Sequence, residues 1–137
     1  MVKNLSRRLT GKLSVHHFTT ERLFIRPLAE EDKSTYISLY TDAKTMCNIS
    51  APLSNPAAEK AFNITIKKQQ EEKPTVMTWA IVTLSNNDCI GIQALNWQTK
   101  NIAEIGIMLL RHSNGKLLPE EAMGALMEYA FKYLSID

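Results

Sequence analysis

RHSNGKLLPEEA, residues 111–122, joins an apolar run, EIGIMLL (104–110), to a helical one, MGALMEYAFKYL (123–134). The apolar run is short, bounded by turn residues and rich in isoleucine, which predicts a strand over about 102–110. Beyond the turn, Ala122, Ala125, Leu126, Tyr129, Ala130 and Tyr133 recur at i, i+3, i+4, i+7 spacing. That is the pattern of an amphipathic helix, here over about 119–134, with Tyr129 and Tyr133 in the core. The linking turn then has two readings. It is an ordinary strand-to-helix connection with Pro119 in the first helical turn. Or it is a phosphate cradle, because a helix start offers unsatisfied N–H donors and the positive end of the helix dipole.

Working backward, TKN (99–101) is a short turn, and CIGIQALNWQ (89–98) reads as the strand before it. Gly91 inside that strand points to a bulge or a close backbone approach. SNND (85–88) makes a hairpin with MTWAIVTL (77–84). Further upstream, Asn55–Pro56 is read as a helix N-cap followed by proline, opening a helix that runs to about Glu72. An acidic start followed by Tyr36, Ile37, Leu39 and Tyr40 predicts a helix over 29–42. RLFIRPL (22–28) alternates at period two, and Pro27 marks an edge or an exit from that strand. The order is β-α-α-β-β-β-α, an α+β fold with a mostly antiparallel meander and helices on its faces.

Composition bounds the function. The chain has 137 residues, 45% of them hydrophobic, 22% charged, with a formal net charge of +2. One domain with a real core is expected, with residues 1–18 as an arm and 19–137 as the folded body. His16 and His17 fall in that arm, beside Lys3, Arg7, Arg8 and Lys12. No basic stripe interleaved with aromatics points to nucleic acid. No apolar run approaches the ~18 residues of a membrane span, and no secretory leader is expected, so the setting is read as cytoplasmic. Cys47 and Cys89 are read as reduced, buried thiols, and no metal site is expected.

TTERLFIRPLAEED (19–32), TWAIV (78–82), CIGIQALNW (89–97) and AEIGIML (103–109), in this order before a glycine-containing turn, resemble the GNAT (GCN5-related N-acetyltransferase) superfamily. The branch looks like that of the ribosomal-protein alanine N-acetyltransferases and their antibiotic- and polyamine-modifying relatives. The resemblance implies acetyl-CoA as cosubstrate. It implies that the pantetheine arm pairs with backbone at Ile107, Met108 and Leu109. It places the pyrophosphate on the turn His112, Ser113, Asn114, Gly115, Lys116 and Leu117. The family's frame there is Gln or Arg, two residues, Gly, one residue, then Gly or Ala. In this chain the frame falls on His112, Gly115 and Leu117, so one glycine is kept and the second small residue is leucine. Pro119 removes a donor just beyond, and Glu120 and Glu121 add negative charge.

By the same resemblance Glu104 is the candidate general base, its apolar neighbours promising desolvation, and Asn96 and Trp97 line the amine pocket. The acceptor is a small-molecule amine or a protein N-terminus. The family's tyrosine proton donor and the strand that splays from the cofactor strand would lie beyond Asp137, so the body is read as C-terminally short. Two functions stay open: an acetyl-CoA-dependent N-acetyltransferase, or a degenerate relative serving as an acyl-CoA-binding or protein-interaction module. An apolar run such as 102–110 also expects cover on both faces and a partner on each edge. A homodimer through that strand or the final helix is therefore expected.

Overall fold

The computed structural model describes residues 16–47, 49–71, 74–113 and 115–134. The elements are β1 (Phe18–Thr19), β2 (Leu23–Pro27), a 3-10 turn at Glu30–Asp32, α1 (Lys33–Thr41), α2 (Ala43–Met46) and α3 (Asn55–Lys68). They continue with β3 (Val76–Thr83), β4 (Cys89–Trp97), β5 (Ala103–Leu109), a 3-10 turn at Arg111–Ser113 and α4 (Leu118–Tyr133). The strands form one five-stranded sheet in the order β1-β2-β3-β4-β5, antiparallel throughout. The expected order therefore stands, with the short β1 and α2 added.

Alternation along the strands sorts side chains to two faces. Leu23, Ile25, Trp79, Ile81, Leu95 and Leu109 pack under Ala122, Leu126, Tyr129 and Ala130 of α4. Ala80, Val82, Ile92 and Met108 face the other way, against Tyr36 and Leu39 of α1, Met46 of α2 and Phe62 of α3. Pro27 is the last residue of β2, an exit rather than an edge.

Several expectations shift. His16 is not a solvent-facing arm residue: it is fully buried, its Nδ1 2.5 Å from the Tyr129 hydroxyl, and its carbonyl accepts the Trp79 indole N–H at 2.8 Å. Tyr133 is exposed, and Leu134 takes the core position at the end of α4. The helix expected over 29–42 starts later. The Asp32 carboxylate receives the Ala29 N–H at 2.8 Å and tightens the entry into a 3-10 turn. Ser54, not Asn55, caps α3, accepting the Ala57 N–H. That helix stops at Lys68 because Gln69 turns inward and donates to the Leu28 carbonyl at 2.8 Å. Cys47 is exposed. Among the described residues no helix is long and apolar enough to cross a membrane.

Within the apolar run 102–110, only Met108 and Leu109 are buried, and Ile102 is exposed. β5 ends the sheet, so among the described residues its outer edge has no strand beside it. That edge is one of the two surfaces, with the final helix, at which the sequence reading expects a second copy.

Candidate functional site

The direction of each backbone group on β5 follows from the ladder. The Gln98 N–H donates to Ile102 O and the Leu110 N–H donates to Ile90 O, both at 2.8 Å. The register between them is unbroken, with Gln93 opposite Ile107 and Gly91 opposite Leu109. In an antiparallel pair the residues alternate between exchanging both bonds and exchanging none. Glu104, Gly106 and Met108 therefore turn their N–H and C=O groups to β4, while Ala103, Ile105, Ile107 and Leu109 turn theirs outward. Of the backbone expected to meet a pantetheine arm, Ile107 and Leu109 are available. Met108 is not, because β4 occupies its groups. It contributes only its side chain.

Along this edge lies a cleft of about 400 Å³, lined by Ile107, Met108 and Leu109, by Lys44, Thr45, Cys47 and Ile49 around α2, and by Arg111 and Pro119. Asp42 ties its walls together. It caps α2, accepting the Thr45 hydroxyl and N–H, and also accepts the Arg111 Nε–H at 3.1 Å. These hydrogen bonds, Thr45 first, hold the Asp42 carboxyl below the usual carboxylate range. Sequence reasoning missed Lys44, because TDAKTMCNIS (41–50) carries no recognisable motif, and Arg111, because the family's frame opens one residue later at His112. Only the fold brings α2 alongside β5.

The cleft ends at the turn into α4. Lys116 and Leu117 both adopt left-handed backbone, at φ 54° and 62°, and Gly115 does not. The conformational demand thus falls on Lys116 and on the leucine that stands where the resemblance expects a small residue, at ~1–2 kcal/mol for each non-glycine side chain. Leu117 is 70% exposed, so burial returns little of that cost. The Leu118 N–H is already spent on Gly115 O at 3.0 Å, and Pro119 has none to give. Ser113 uses its N–H on Leu110 O at 2.8 Å. Asn114 lies outside the described residues, as do Lys3, Arg7, Arg8 and Lys12. His112 is exposed and lines a separate polar cleft of about 380 Å³ with Arg26, Asp32 and Cys89.

Glu121 does not point its charge into the turn unopposed. Its carboxylate accepts the Thr20 hydroxyl, the Arg22 N–H at 3.1 Å and the Arg22 Nε–H at 2.8 Å. Thr20 first and then Arg22 hold it below the usual carboxylate range, so the contact persists down to acidic pH and is lost as Glu121 protonates. The TERL segment, quoted above for its resemblance, is thereby explained: Thr20 and Arg22 grip the first turn of α4.

Glu104 and Asn96 are paired neighbours on the α1–α3 face of the sheet, both exposed. Glu104 accepts the Gln98 side-chain N–H at 3.1 Å. Its apolar strand neighbours do not desolvate it, because they point to the opposite face. Trp97 is one of these: it packs partly buried on the α4 side, so the sheet separates it from Glu104 and Asn96.

The GNAT acetyltransferase domain model matches residues 22–137. The chain belongs to the GNAT acetyltransferase family. No curated protein sequence matches it. Among solved structures, it is similar to an acetyltransferase from Agrobacterium tumefaciens str. C58, at TM-score 0.73 and 24% identity over 88% of this chain and 69% of that one. It is similar to spermidine N-acetyltransferase from Vibrio cholerae, solved with CoA and spermine, at TM-score 0.72 and 18% identity over 85% and 68%. It is likewise similar to a Salmonella typhimurium acetyl transferase that modifies the N-terminal serine of ribosomal protein L7/L12, at TM-score 0.71 and 18% identity over 85% and 68%. At these identities the likeness establishes the fold.

The GNAT family's cosubstrate fits the donor set along β5. The outward N–H groups of Ile107 and Leu109 suit an extended amide-bearing arm, and Lys44 and Arg111 suit phosphate oxygens. The fit thins at the turn, where Leu118 and Pro119 offer no free donor.

Proposed function

We propose that the chain is an acetyl-CoA-dependent N-acetyltransferase acting on a primary amine. The observation that carries this is the outer edge of β5, unpaired among the described residues, whose Ile107 and Leu109 backbone groups face a cleft that also holds Lys44 and Arg111 and reaches Pro119 at the start of α4. The pantetheine arm adds to that edge as a strand would, and Lys44, Arg111 and the Lys116–Leu117 turn hold the diphosphate. Acetyl-CoA supplies an acetyl thioester, activated for attack by a neutral amine. Glu104 then serves as the base that takes the proton from the incoming ammonium, directly or through water. It sits four residues along the strand from Met108, about 13 Å at the strand rise. The acceptor is a polyamine-like small molecule or a protein N-terminus, the classes named for the Vibrio and Salmonella proteins.

A second reading is favoured by the strained Leu117 and the missing donor at Pro119: a GNAT relative in which the cradle no longer binds. Thermal unfolding with and without coenzyme A decides between them, since a ligand bound by the folded state raises Tm by mass action. A rise of several degrees at millimolar coenzyme A is expected, and no shift sinks the enzyme reading. Leu117→Gly should stabilise the free chain by ~1 kcal/mol, because glycine populates left-handed backbone without penalty, and should bind coenzyme A at least as well. For catalysis, Glu104→Gln should lower kcat about 100-fold with the dissociation constant for coenzyme A unchanged. An unchanged kcat returns Glu104 to an ordinary surface carboxylate bonded to Gln98.

A further inference from the structure

Arg22 sits in the β1–β2 turn, far in sequence from the strand-to-helix turn, yet its guanidinium spans two groups there. Nε donates to Glu121 Oε1 at 2.8 Å, Nη2 lies 2.6 Å from the same oxygen, and Nη2 donates to the Lys116 carbonyl at 2.9 Å. The other carboxylate oxygen is held by the Thr20 hydroxyl and by the Arg22 backbone N–H. Thr20 Oγ1 is itself fixed, accepting the Leu23 N–H at 3.1 Å. Every member of this cluster is thus tied at more than one point.

The Lys116 oxygen is the unusual acceptor. It belongs to the peptide between Lys116 and Leu117, the residues in left-handed backbone. A trans peptide is planar, with its C=O and N–H opposed. Fixing the Lys116 oxygen toward Arg22 therefore fixes the Leu117 N–H on the opposite side of the turn. In a glycine-rich turn this conformation comes without steric cost. Here non-glycine residues must be held in it.

We propose that Arg22, braced by Glu121 and Thr20, is a positioning residue for the phosphate cradle. It locks the Lys116–Leu117 peptide in the orientation that a second glycine would adopt unaided. The proposal rests on the reading that coenzyme A binds at this turn. It assigns Arg22 no contact with the ligand, and it explains how a chain with leucine at this position keeps the cradle's shape.

Calorimetric titration of the full chain with coenzyme A and with pantetheine, which lacks the diphosphate, tests it. Arg22→Ala should weaken coenzyme A about tenfold, the scale of losing a charge-assisted hydrogen bond that orders a site, and leave pantetheine unchanged. Leu117→Gly in the Arg22→Ala background should restore much of the loss, because glycine removes the left-handed cost at 117 and leaves only that at Lys116. Glu121→Gln, which keeps the side chain's shape and removes its charge, should weaken coenzyme A in the same direction and is the variant to use if Arg22→Ala does not fold. Equal binding of coenzyme A by wild type and both variants overturns the clamp and leaves the cofactor reading standing. Equal loss of both ligands overturns it too, since that marks a general structural role. Failure of glycine to rescue overturns positioning in favour of direct phosphate contact. A wild type that binds pantetheine but not coenzyme A, or neither, overturns the cradle reading itself and the clamp with it.

Discussion

Gly91→Ala should be among the most damaging single-methyl additions in the chain. A Cβ at Gly91 would lie 2.3 Å from the Met108 carbonyl oxygen, 2.6 Å from a Leu109 side-chain carbon and 2.9 Å from the Leu109 Cα. The first and last are backbone atoms of β5, which cannot rotate away as a side chain can. Relief requires β4 and β5 to part, and their parting strains the pairing at Gly91–Leu109 and Ile92–Met108. Overpacking typically costs ~1–3 kcal/mol where side chains can adjust, so a backbone collision belongs at or above the upper end. A loss of ~3 kcal/mol or more is expected, read as a lower urea midpoint at unchanged slope. The functional consequence is separable. Leu109 is one of the residues whose outward N–H faces the cleft, so displacing it should weaken coenzyme A binding in whatever fraction remains folded. A midpoint within the equivalent of 1 kcal/mol of wild type would mean that the strands are further apart than described.

That glycine was legible in the sequence as a bulge or close approach, since a strand interior gains nothing else from losing a side chain. The pairing irregularity opposite it, between Ile81 and Val82, bears this out. Element types and order were equally legible, because periodicity and turn residues are local signals. What was not legible depends on which strands meet. That β4 takes the Met108 backbone while the Ile107 and Leu109 backbone faces outward is a matter of ladder parity, which sequence does not display. Trp97 and Asn96 are adjacent in sequence yet fall on opposite faces of the sheet, so naming them together for one pocket ignored the pleat. His16 reads as an arm residue because it precedes the stretch that carries the family resemblance, which opens at Thr19. Its burial becomes visible only once Phe18 is seen stacked on Tyr129, with ring centroids 4.6 Å apart. Glu121 was read as a charge opposing phosphate because its partners, Thr20 and Arg22, lie about a hundred residues away.

Asp32→Ala should cost about as much by a different route. The Asp32 side chain is 1% exposed and takes both terminal nitrogens of Arg26, at 2.8 and 2.9 Å. It also accepts the Ala29 N–H at 2.8 Å, closing the 3-10 turn that leads into α1. The hydrogen bond to Asp32 is the main reason that the Arg26 pKa is raised; deleting Asp32 removes that support, but a guanidinium is basic enough to stay charged without its partner. Removing one member of a buried pair strands the other's charge, at ~3–5 kcal/mol when fully buried. The Arg26 side chain retains 21% exposure and Glu31 remains 3.4 Å away, which places the expected loss near the lower figure, ~3 kcal/mol. Replacing both, as Arg26→Met with Asp32→Leu, should cost less than Asp32→Ala alone, since no charge is then left without its partner. Denaturant midpoints for the single, double and wild-type chains read this directly. A double variant no more stable than the single would show that the geometry of the Ala29 turn, lost in both, rather than the stranded guanidinium, carries the energy. The distinction matters for the cleft. α1 runs from this turn to Asp42, and Asp42 holds both α2 and Arg111 against the outer edge of β5. If the turn carries the energy, Asp32→Ala should also weaken coenzyme A binding through the far end of α1. If the charge carries it, the double variant should bind coenzyme A as wild type does.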